Sequence, residues 1–444
     1  MVLFLMKRKS LDNLSVWKLK KQRKPLVLNG ARQVGKTFAI RQFGQLQFEK
    51  NHIFNFEKEP EIHSIFEQNK SPTKIIEALS VYKKDKIDVA KDLIFFDEIQ
   101  TCPQAITALK YFSEDLPQSY ICSAGSLLGL HLGEASFPVG KVELINIYPM
   151  DWQEFLEAVG DLEMYTKYIE SPNEAFHQHL WSRWVDYLIV GGLPEVVQKY
   201  IDTDSDSTGF TDRFTQIRTI QENLILGYLA DMAKHAGKEN SMLLDRLLHR
   251  VAEQIGQDSS KKFQFKGVFP GKRSYEDFVG PIEWLKKAGL IYQVPTIDSA
   301  RIPLSVCKKE NAFKLFVFDI GLSNVLARVP AESLRTYDFS HKGFIAESFV
   351  LQEMVAITKK VDLFYAYKNG QSEVEFLTDY KGQLLPIEVK AGINLKSKSL
   401  AVFLQKYRPP KAIRLSKVLA NKKNTEKILN DFPIFQIGDL IKTS

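Results

Sequence analysis

The arrangement of apolar and polar residues along the chain predicts an α/β protein. Short apolar runs recur in the first third, at residues 26–28, 52–56, 93–96, 120–123 and 142–147. Such runs are typical of strands in a parallel sheet, because helices cover both faces of that kind of sheet. Helical patterns separate several of the runs, so we expect a parallel sheet flanked by helices.

The first apolar run leads directly into a glycine-rich loop. Residues 30–37 read GARQVGKT, which matches G-x-x-x-x-G-K-[ST] between a strand and a helix-competent segment. In this pattern backbone N–H groups surround phosphate oxygens, the lysine reaches the β- and γ-phosphates, and the hydroxyl binds Mg²⁺. We therefore predict an ATP site with Lys36 as a catalytic residue and Thr37 as a metal ligand. The nucleotide-binding residues in this stretch are Gly30, Ala31, Arg32, Gln33, Val34, Gly35, Lys36, Thr37 and Phe38.

The second half of this site is expected where the run at 93–96 ends in two acids. Asp97 stands at the carboxyl end of a predicted central strand, the edge at which α/β sheets bind ligands. It is expected to hold Mg²⁺ through water, and Glu98 to act as the catalytic general base. Ser126 follows the run at 120–123 and is a candidate nucleotide-binding residue that senses the γ-phosphate. A simple turn serine is the competing interpretation.

Helical patterns fill residues 151–240, which are rich in aromatic residues. Asp151 and Glu154 have the spacing of a capping box at the start of a helix. The segment is expected to be a helical lid, and its polar stretch at 201–209 is expected to be a loop.

Residues 241–304 fit a winged helix. Its second helix, at 274–288, contains Pro281, which should kink or split it because proline removes an interior hydrogen bond. The basic residues Lys266, Lys272 and Arg273 precede this helix, where a helix-turn-helix contacts DNA phosphates. A winged helix that serves only as a structural bridge, or for protein contact, fits the pattern as well.

Two alternating patterns near the C-terminus, at 373–378 and 384–390, predict a β-hairpin. A two-residue loop at 380–381 would place Glu373 opposite Glu388. The period of two puts four polar side chains on one face, Glu373, Glu375, Glu388 and Lys390. Stacked carboxylates repel one another, and a bound Mg²⁺ or Mn²⁺ would reverse that cost. A hairpin with its charges in solvent gives the same alternation, so the pattern alone leaves both interpretations open.

The order of these motifs resembles a family of bacterial and archaeal predicted AAA+ ATPases. The matching stretches are GARQVGKT, IFFDEIQ, SAGS, FPVGKVELINIYPMDWQEFL, YLIVGGLPEVV, FKLFVFDIGL, GFIAESFVLQEM and LPIEVKAG. In that family the ATPase is joined to a C-terminal domain of unknown function that resembles restriction endonucleases. One departure is Gly140-Lys141, where the family commonly has Gly-Arg, so no arginine finger is assigned.

The resemblance implies four regions: a P-loop ATPase core at 1–150, the lid at 151–240, the winged helix at 241–304 and a nuclease-like domain at 305–444. Within the last region the order αβββαβ is similar to the PD-(D/E)xK nuclease core. Carried over by motif, the possible nuclease site is Glu347, Glu375, Glu388 and Lys390. The second acid is more often aspartate in such enzymes, so Glu375 is a departure that puts cleavage in doubt.

Composition narrows the partners. The formal net charge is +7, and it is concentrated at the two ends: residues 1–24 carry a net +7 and residues 388–444 a net +8, so the middle is acidic. Basic ends suggest contact with DNA or RNA, and two solvated ends are the alternative. Three widely spaced cysteines and the absence of a long apolar stretch predict a cytoplasmic protein without a membrane partner.

Two functions follow from the sequence. The first is an AAA+-type enzyme that uses ATP and Mg²⁺ and acts on nucleic acid. The second is an ATP-switched interaction protein in which the nuclease-like domain is an inactive scaffold. AAA+ modules usually assemble, so a homo-oligomer is expected, although no sequence feature identifies the interface.

Overall fold

The computed structural model describes residues 6–126, 128, 137–205, 209–254, 262–336, 342–370, 372–392, 397–419 and 428–443. The chain forms two compact units, Met1–Tyr148 with Lys287–Gly289 and Pro149–Lys286 with Leu290–Ser444. Each unit has its own sheet.

The first unit is built on a parallel sheet. Its strands are β1 Leu26–Asn29, β2 Asn51–Asn55, β3 Leu93–Asp97, β4 Tyr120–Ala124 and β5 Glu143–Asn146, in the order β2-β3-β4-β1-β5. Every pairing in this sheet is parallel, which confirms the predicted sheet. Parallel strands need crossovers, and these contain the helices Lys36–Gln47, His63–Gln68, Pro72–Lys83 and Pro103–Asp115; Ser10–Lys18 precedes the sheet, and Pro60–Ile62 and Ile99–Thr101 are 3₁₀ turns.

Burial explains the strand order. All five residues of β3 are buried, as expected for a central strand covered on both faces. Phe96 packs edge-on against Phe56 and Phe66, so the apolar runs of the sequence meet in one core on this side of the sheet. The carboxyl ends of β1, β3 and β4 lie side by side at one edge.

The second unit contains a mixed sheet. Its strands are β6 Ile291–Ile297, β7 Lys308–Val317, β8 Phe364–Asn369, β9 Ser372–Tyr380, β10 Gln383–Val389, β11 Ala412–Ser416 and β12 Leu429–Pro433, in the order β12-β11-β10-β9-β8-β6-β7. The pairs β6–β7, β8–β9 and β9–β10 are antiparallel, and the remaining pairs are parallel.

The described part of the second unit also contains helices. Their bounds are Trp152–Ala158, Leu162–Glu170, Glu174–Val190, Pro194–Ser205, Phe210–Ala236, Lys238–Glu253, Tyr275–Lys287, Ile320–Leu326, Ala331–Thr336, Lys342–Thr358, Lys398–Tyr407 and Ile437–Thr443, with 3₁₀ turns at Leu304–Cys307 and Ile434–Gln436.

Three expectations for the helical region can be compared with these bounds. The capping box is present: Glu154 N–H donates to Asp151 at 2.9 Å and Asp151 N–H donates to Glu154 at 3.0 Å. The loop predicted at 201–209 is wrong in its first part, because the helix Pro194–Ser205 continues through it, and 206–208 lie outside the described residues. The helix Tyr275–Lys287 is not split by Pro281, which stands inside it.

In the second unit, residues of the motifs GGLPE and FDIGL form buried contacts with backbone groups of neighbouring segments. The Asp319 carboxylate caps the helix Ile320–Leu326 by accepting from Leu322 N–H at 3.0 Å, and it also accepts from Gly192 N–H at 2.7 Å. A Cβ at Gly192 would collide with the backbone of Met150. These contacts explain GGLPE and FDIGL as packing motifs, since only glycine admits such a close approach.

The C-terminal part has the predicted order αβββαβ, from the helix Lys342–Thr358 through β8, β9 and β10 to the helix Lys398–Tyr407 and β11. However, β6, from the predicted winged-helix region, pairs with both β7 and β8. The boundary expected between residues 304 and 305 therefore runs between neighbouring strands of one sheet. The winged helix and the nuclease-like fold stay predictions.

The register of the β9–β10 hairpin corrects one expectation. Gln383 pairs with Tyr380, so the two-residue loop is Lys381-Gly382 and not 380–381. Both loop residues have positive φ, 51° and 76°, as the type I′ turn requires, and glycine fits the second position. The pairing moves by two residues, so the faces are unchanged, but Glu375 instead of Glu373 comes level with Glu388.

Candidate functional site

The loop between β1 and the helix Lys36–Gln47 has the backbone of a phosphate-binding loop. Gly30, Gln33 and Gly35 adopt φ of 148°, 62° and 93°. A Cβ at Gly30 would collide with the carbonyl oxygen of Ile147 at the end of β5, which explains the glycine. The loop ends at the N-terminus of a helix, where N–H groups without helical partners and the helix dipole favour an anion.

The side chains of this loop divide by exposure. Ala31 and Val34 are buried and anchor the loop, whereas Arg32, Gln33 and Phe38 are exposed. Lys36 Nζ donates to the carbonyls of Gly30 at 2.9 Å and Ala31 at 2.7 Å. The ammonium therefore lies inside the curve of the loop, where a phosphate would compete for it.

Thr37 and Asp97 come together at the carboxyl edge of the sheet. Thr37 Oγ1 donates to Asp97 Oδ1 at 2.9 Å, although sixty positions separate the two residues. Burial raises the pKa of Asp97 above its ordinary value, and the neighbouring Glu98 carboxylate adds to this effect. The two side chains predicted to hold Mg²⁺ are thus in contact.

Asn55 is a site residue that sequence reasoning missed. It ends β2, next to β3, and its Nδ2 donates to Asp97 Oδ2 at 3.2 Å. Its Oδ1 accepts from Glu57 and Lys58 N–H and so holds the following turn. A polar residue at the carboxyl end of a neighbouring parallel strand was the available signal.

Glu98 is held by two uncharged partners. Its backbone is left-handed, with φ of 52°, and its Oε2 accepts from Gln100 Nε2 at 2.7 Å. The Ser126 hydroxyl lies 3.3 Å from both Glu98 Oε2 and Gln100 Nε2. A Cβ at Gly125 would collide with the Gln100 side chain, so SAGS leaves room for this contact. Ser126 therefore contacts the predicted base, and Gln100 is a second missed residue.

Two basic residues of the first unit, Arg8 and Lys141, have structural roles. Arg8 is buried, and its guanidinium donates at 2.8 Å to the carbonyls of Val34, in the loop, and Tyr148. Lys141, which stands where the family commonly has an arginine, pairs with Glu114 at 2.9 Å. Part of the basic N-terminal segment is therefore used inside the first unit.

The residues of the predicted nuclease site also come together in the second unit. Glu347 lies on the helix Lys342–Thr358, Glu375 on β9 and Glu388 at the end of β10. Lys390 Nζ lies 2.6 Å from Glu388 Oε1, and Glu375 Oε2 accepts from Val389 N–H at 3.3 Å. Glu347 and Glu388 are almost fully buried, so this face of the hairpin is not solvated.

A further lysine, Lys314, enters this acid–lysine cluster, which we define as Lys314, Glu347, Glu375, Glu388 and Lys390. Lys314 Nζ lies 3.0 Å from Glu347 Oε2. Burial together with the Glu347 and Glu388 charges raises the pKa of Glu375 to about 8. Among the described residues no group of three His, Cys, Asp or Glu side chains is placed to hold a metal ion.

Comparison with known families identifies the first part of the chain. A family described as AAA domain matches residues 22–156. The chain therefore contains an AAA domain. Two further families match, both described as domains of unknown function: DUF8612 at residues 182–333 and DUF4143 at residues 342–437. No curated protein matches by sequence.

Solved structures give distant similarities. The Orc1 protein of Aeropyrum pernix in complex with DNA is 13% identical, with a TM-score of 0.25, over 74% of this chain and 92% of that one. Cdc6p of Pyrobaculum aerophilum is 12% identical, with a TM-score of 0.26, over 76% and 97%. A STAND ATPase of Pyrococcus horikoshii is 14% identical, with a TM-score of 0.27, over 79% and 47%. Nothing about activity follows from similarities of this size.

Three other predictions from the sequence can be compared with the structure and with the match to the AAA domain. Among the described residues no helix is long and apolar enough to cross a membrane. Cys102, Cys122 and Cys307 are free thiols, and the first two are buried. The AAA domain's matched range ends inside the helix Trp152–Ala158, close to the predicted limit of the ATPase core at residue 150.

Proposed function

We propose that the AAA domain binds and hydrolyses ATP with Mg²⁺. The observation that carries this proposal is the hydrogen bond between Thr37 and Asp97, which joins the two halves of the predicted site at the carboxyl edge of a parallel sheet. A structural glycine turn would not need a buried acid at that position. The left-handed glycines, the helix N-terminus without a side-chain cap and the buried lysine support the same interpretation.

The phosphates would be bound by the loop backbone and by Lys36, which would exchange the Gly30 and Ala31 carbonyls for phosphate oxygens. Thr37 and Asp97 fit Mg²⁺, because both present oxygen atoms and a buried carboxylate with a raised pKa is stabilised by a nearby cation. When bound, Mg²⁺ would neutralise charge on the phosphate oxygens. Asn55 would keep the Asp97 carboxylate oriented.

Glu98 would act as the general base for the attacking water. Its carboxylate is held by Gln100 and Ser126, so both residues would determine where that carboxylate points. We propose that Gln100 positions Glu98 and that Ser126 links Glu98 to the γ-phosphate position. Both roles are inferred from the contacts of Gln100 and Ser126 with the Glu98 carboxylate.

The decisive experiment is phosphate release from ATP by wild type, Lys36→Ala and Glu98→Gln. We expect Lys36→Ala to lose nucleotide binding and turnover, and Glu98→Gln to bind ATP while turnover falls about 100-fold or more, the usual loss for a catalytic group. Lys50→Ala, which removes an exposed ion pair with Asp85, is the matched control and should stay active. Turnover that survives Lys36→Ala would show that the loop is not the ATP site.

A second proposal is that ATP turnover is coupled to DNA or RNA. The net charges of +7 and +8 on the terminal segments carry it, together with three basic residues that precede the helix Tyr275–Lys287, Lys266, Lys272 and Arg273. Binding of a labelled duplex and a labelled single strand should weaken steeply between low and physiological salt, because phosphate contacts release counterions. Salt-insensitive binding, or none, contradicts this proposal.

The alternative, an ATP-switched interaction protein with an inactive nuclease-like domain, is favoured by one observation. Glu347 and Glu388, two of the expected metal ligands, each contact a lysine. Comparing plasmid cleavage by wild type and Lys390→Ala with added Mg²⁺ or Mn²⁺ separates the two functions. Cleavage that depends on Lys390 supports the enzyme, and no cleavage by either supports the scaffold. In both cases we propose a cytoplasmic protein that self-assembles.

A further inference from the structure

A fourth carboxylate, that of Glu373, lies beside the acid–lysine cluster. Glu373, at the start of β9, lies 4.0 Å from Lys314 and 4.0 Å from Lys368. Together with Glu347, Glu375 and Glu388 it makes four acids on one side of the hairpin. In a PD-(D/E)xK arrangement such acids gather around a divalent cation, which offsets their mutual repulsion.

In this chain the Lys314 ammonium group lies within 4.0 Å of two of these acids, Glu347 and Glu373. Lys314 comes from β7, the edge strand of the sheet, and its side chain is 6% exposed. Burial works against its charged form, but the carboxylates of Glu347, Glu375 and Glu373 outweigh burial and raise the pKa of Lys314. Lys314 is thus a buried, charged lysine with acids from both the helix Lys342–Thr358 and β9 around it.

Lys390 accounts for the other end of the cluster. It contacts Glu388 Oε1 at 2.6 Å, and its pKa is raised by Glu375 and Glu388 against the effect of burial. Glu388 Oε2 is buried, and no hydrogen-bond donor among the described residues reaches it. The cluster therefore contains two lysine cations and a buried carboxylate oxygen that accepts no hydrogen bond.

We propose that Lys314 is an internal cation that takes the place of a divalent metal, so that this nuclease-like site is complete without metal and becomes a metal site only when Lys314 is removed. Two observations carry the proposal: the ammonium contacts Glu347, one of the expected ligands, and the acids are not placed as a metal-holding group. The lone Glu388 Oε2 shows where a vacated cluster would offer a further ligand atom. The inference is independent of ATP hydrolysis.

Mn²⁺ binding tests the proposal. All variants carry Asp97→Asn, so that the proposed ATP site loses the acid predicted to bind Mg²⁺. Mn²⁺ alone is titrated by calorimetry. The melting temperature is measured separately with Mn²⁺ and with EDTA. We expect no Mn²⁺ at this cluster in the wild-type background and unchanged melting in EDTA. Lys314→Met should melt at a lower temperature, bind one more Mn²⁺ per chain and regain part of the lost melting temperature when Mn²⁺ is added.

The controls separate charge from general damage. Lys309→Met removes an exposed lysine of the same strand, paired with Asp298 at 2.8 Å, and should neither destabilise the chain comparably nor create a Mn²⁺ site. If Lys314→Met does not fold, the double variant Lys314→Met with Glu347→Gln should fold better, because it removes both partners of the buried pair.

Three results would overturn the proposal. One is Mn²⁺ binding to the wild-type background that Glu375→Gln abolishes, since the metal would then displace Lys314 unaided. The second is a folded Lys314→Met that gains no Mn²⁺. The third is a double variant less stable than Lys314→Met, since Lys314 would then not be compensating the Glu347 charge.

Discussion

The proposed ATP site and the acid–lysine cluster are assembled from the same kinds of side chain, and their charges are neutralised in different ways. In the ATP site the Asp97 carboxylate contacts the uncharged Thr37 and Asn55 side chains, and Lys36 lies on backbone carbonyls. In the cluster Lys314 and Lys390 contact the acids directly. A cation could replace the uncharged groups that contact Asp97. In the cluster, Glu347 and Glu388 are already paired with lysine cations.

The difference has a physical reason. A short hydrogen bond to a hydroxyl or an amide is exchanged at little net cost when a better partner arrives. A buried ion pair is expensive to open, because removing one partner leaves an uncompensated charge in a poorly solvated place. Ligand binding therefore suits the first site, and rigidity suits the second.

Glu347→Gln should cause the largest loss of stability among the changes considered for the two sites. It removes the closest carboxylate from Lys314 and is expected to lower the free energy of unfolding by about 3–5 kcal/mol, as for other broken buried pairs. Denaturation in urea measures the change. Asp298→Asn, in the exposed Lys309 pair, is the control and should change stability by no more than about 1 kcal/mol. Equal effects of the two changes would mean that the cluster is not a buried ion pair in solution.

Arg8→Ala tests how the ATP site is supported from within its own unit. The buried guanidinium donates to the Val34 carbonyl of the loop and to the Tyr148 carbonyl, so its loss should reduce stability by about 1.5–3 kcal/mol and raise KM for ATP. Steady-state kinetics and thermal melting give the two values. Lys20→Ala, which removes the exposed Glu143 pair, should leave both near wild type. An unchanged KM in Arg8→Ala would mean that the loop is ordered without this contact.

Glu375→Gln addresses the pH dependence of the cluster. Because the folded-state pKa of Glu375 is raised to about 8, the folded chain keeps a proton that the unfolded chain releases near pH 4.5. This bound proton adds its full contribution to the free energy of unfolding below about pH 4.5, and the contribution is lost as the pH rises through about 8. The free energy of unfolding should therefore fall by no more than about 1.4 kcal/mol per pH unit. Glu375→Gln should flatten this decline in urea denaturation between pH 5 and 9.

Glu310→Gln is the control for that prediction, since Glu310 is an exposed acid on β7. It should leave the pH dependence as in wild type. A decline that is equally steep in Glu375→Gln would assign the titration to another group.

Gln100→Ala should have the smallest effect and sharpens the description of the ATP site. Removing the amide that donates to Glu98 at 2.7 Å should lower kcat about tenfold, equivalent to about 1.4 kcal/mol, and leave KM nearly unchanged. Gln104→Ala, an exposed glutamine nearby in sequence, is the control. A change in KM alone would show that Gln100 supports nucleotide binding and does not position the base.

The sequence was a good guide wherever a motif is contiguous. GARQVGKT carries its own backbone demands in Gly30 and Gly35, and the apolar runs give the parallel sheet, because a central strand is buried on both faces. The two faces of the hairpin were predicted correctly because side chains alternate between the faces of a strand. The loop lies one residue later than predicted. Alternation does not fix the loop position, which depends on the positive φ of Lys381 and Gly382.

Contacts between distant segments could not be predicted in this way. Asn55, Gln100 and Arg8 reach the ATP site from β2, from the turn after β3 and from the N-terminal segment. No sequence motif with a fixed spacing includes these three residues, because each contact depends on how distant segments are arranged in the fold. Pro281 shows the same limit, because the rule against interior proline did not decide whether the helix would continue.

The sequence by itself determined the loop, the two acids after β3 and the alternation that brings Glu375, Glu388 and Lys390 to one face. These are local properties, set by backbone conformation and by the periods of strand and helix. Only the tertiary structure shows that Lys314, from a strand far from β9 in the chain, lies 3.0 Å from the Glu347 carboxylate. The physical reason is that compensation of a buried charge depends on distance in space, which strand order sets and local sequence does not.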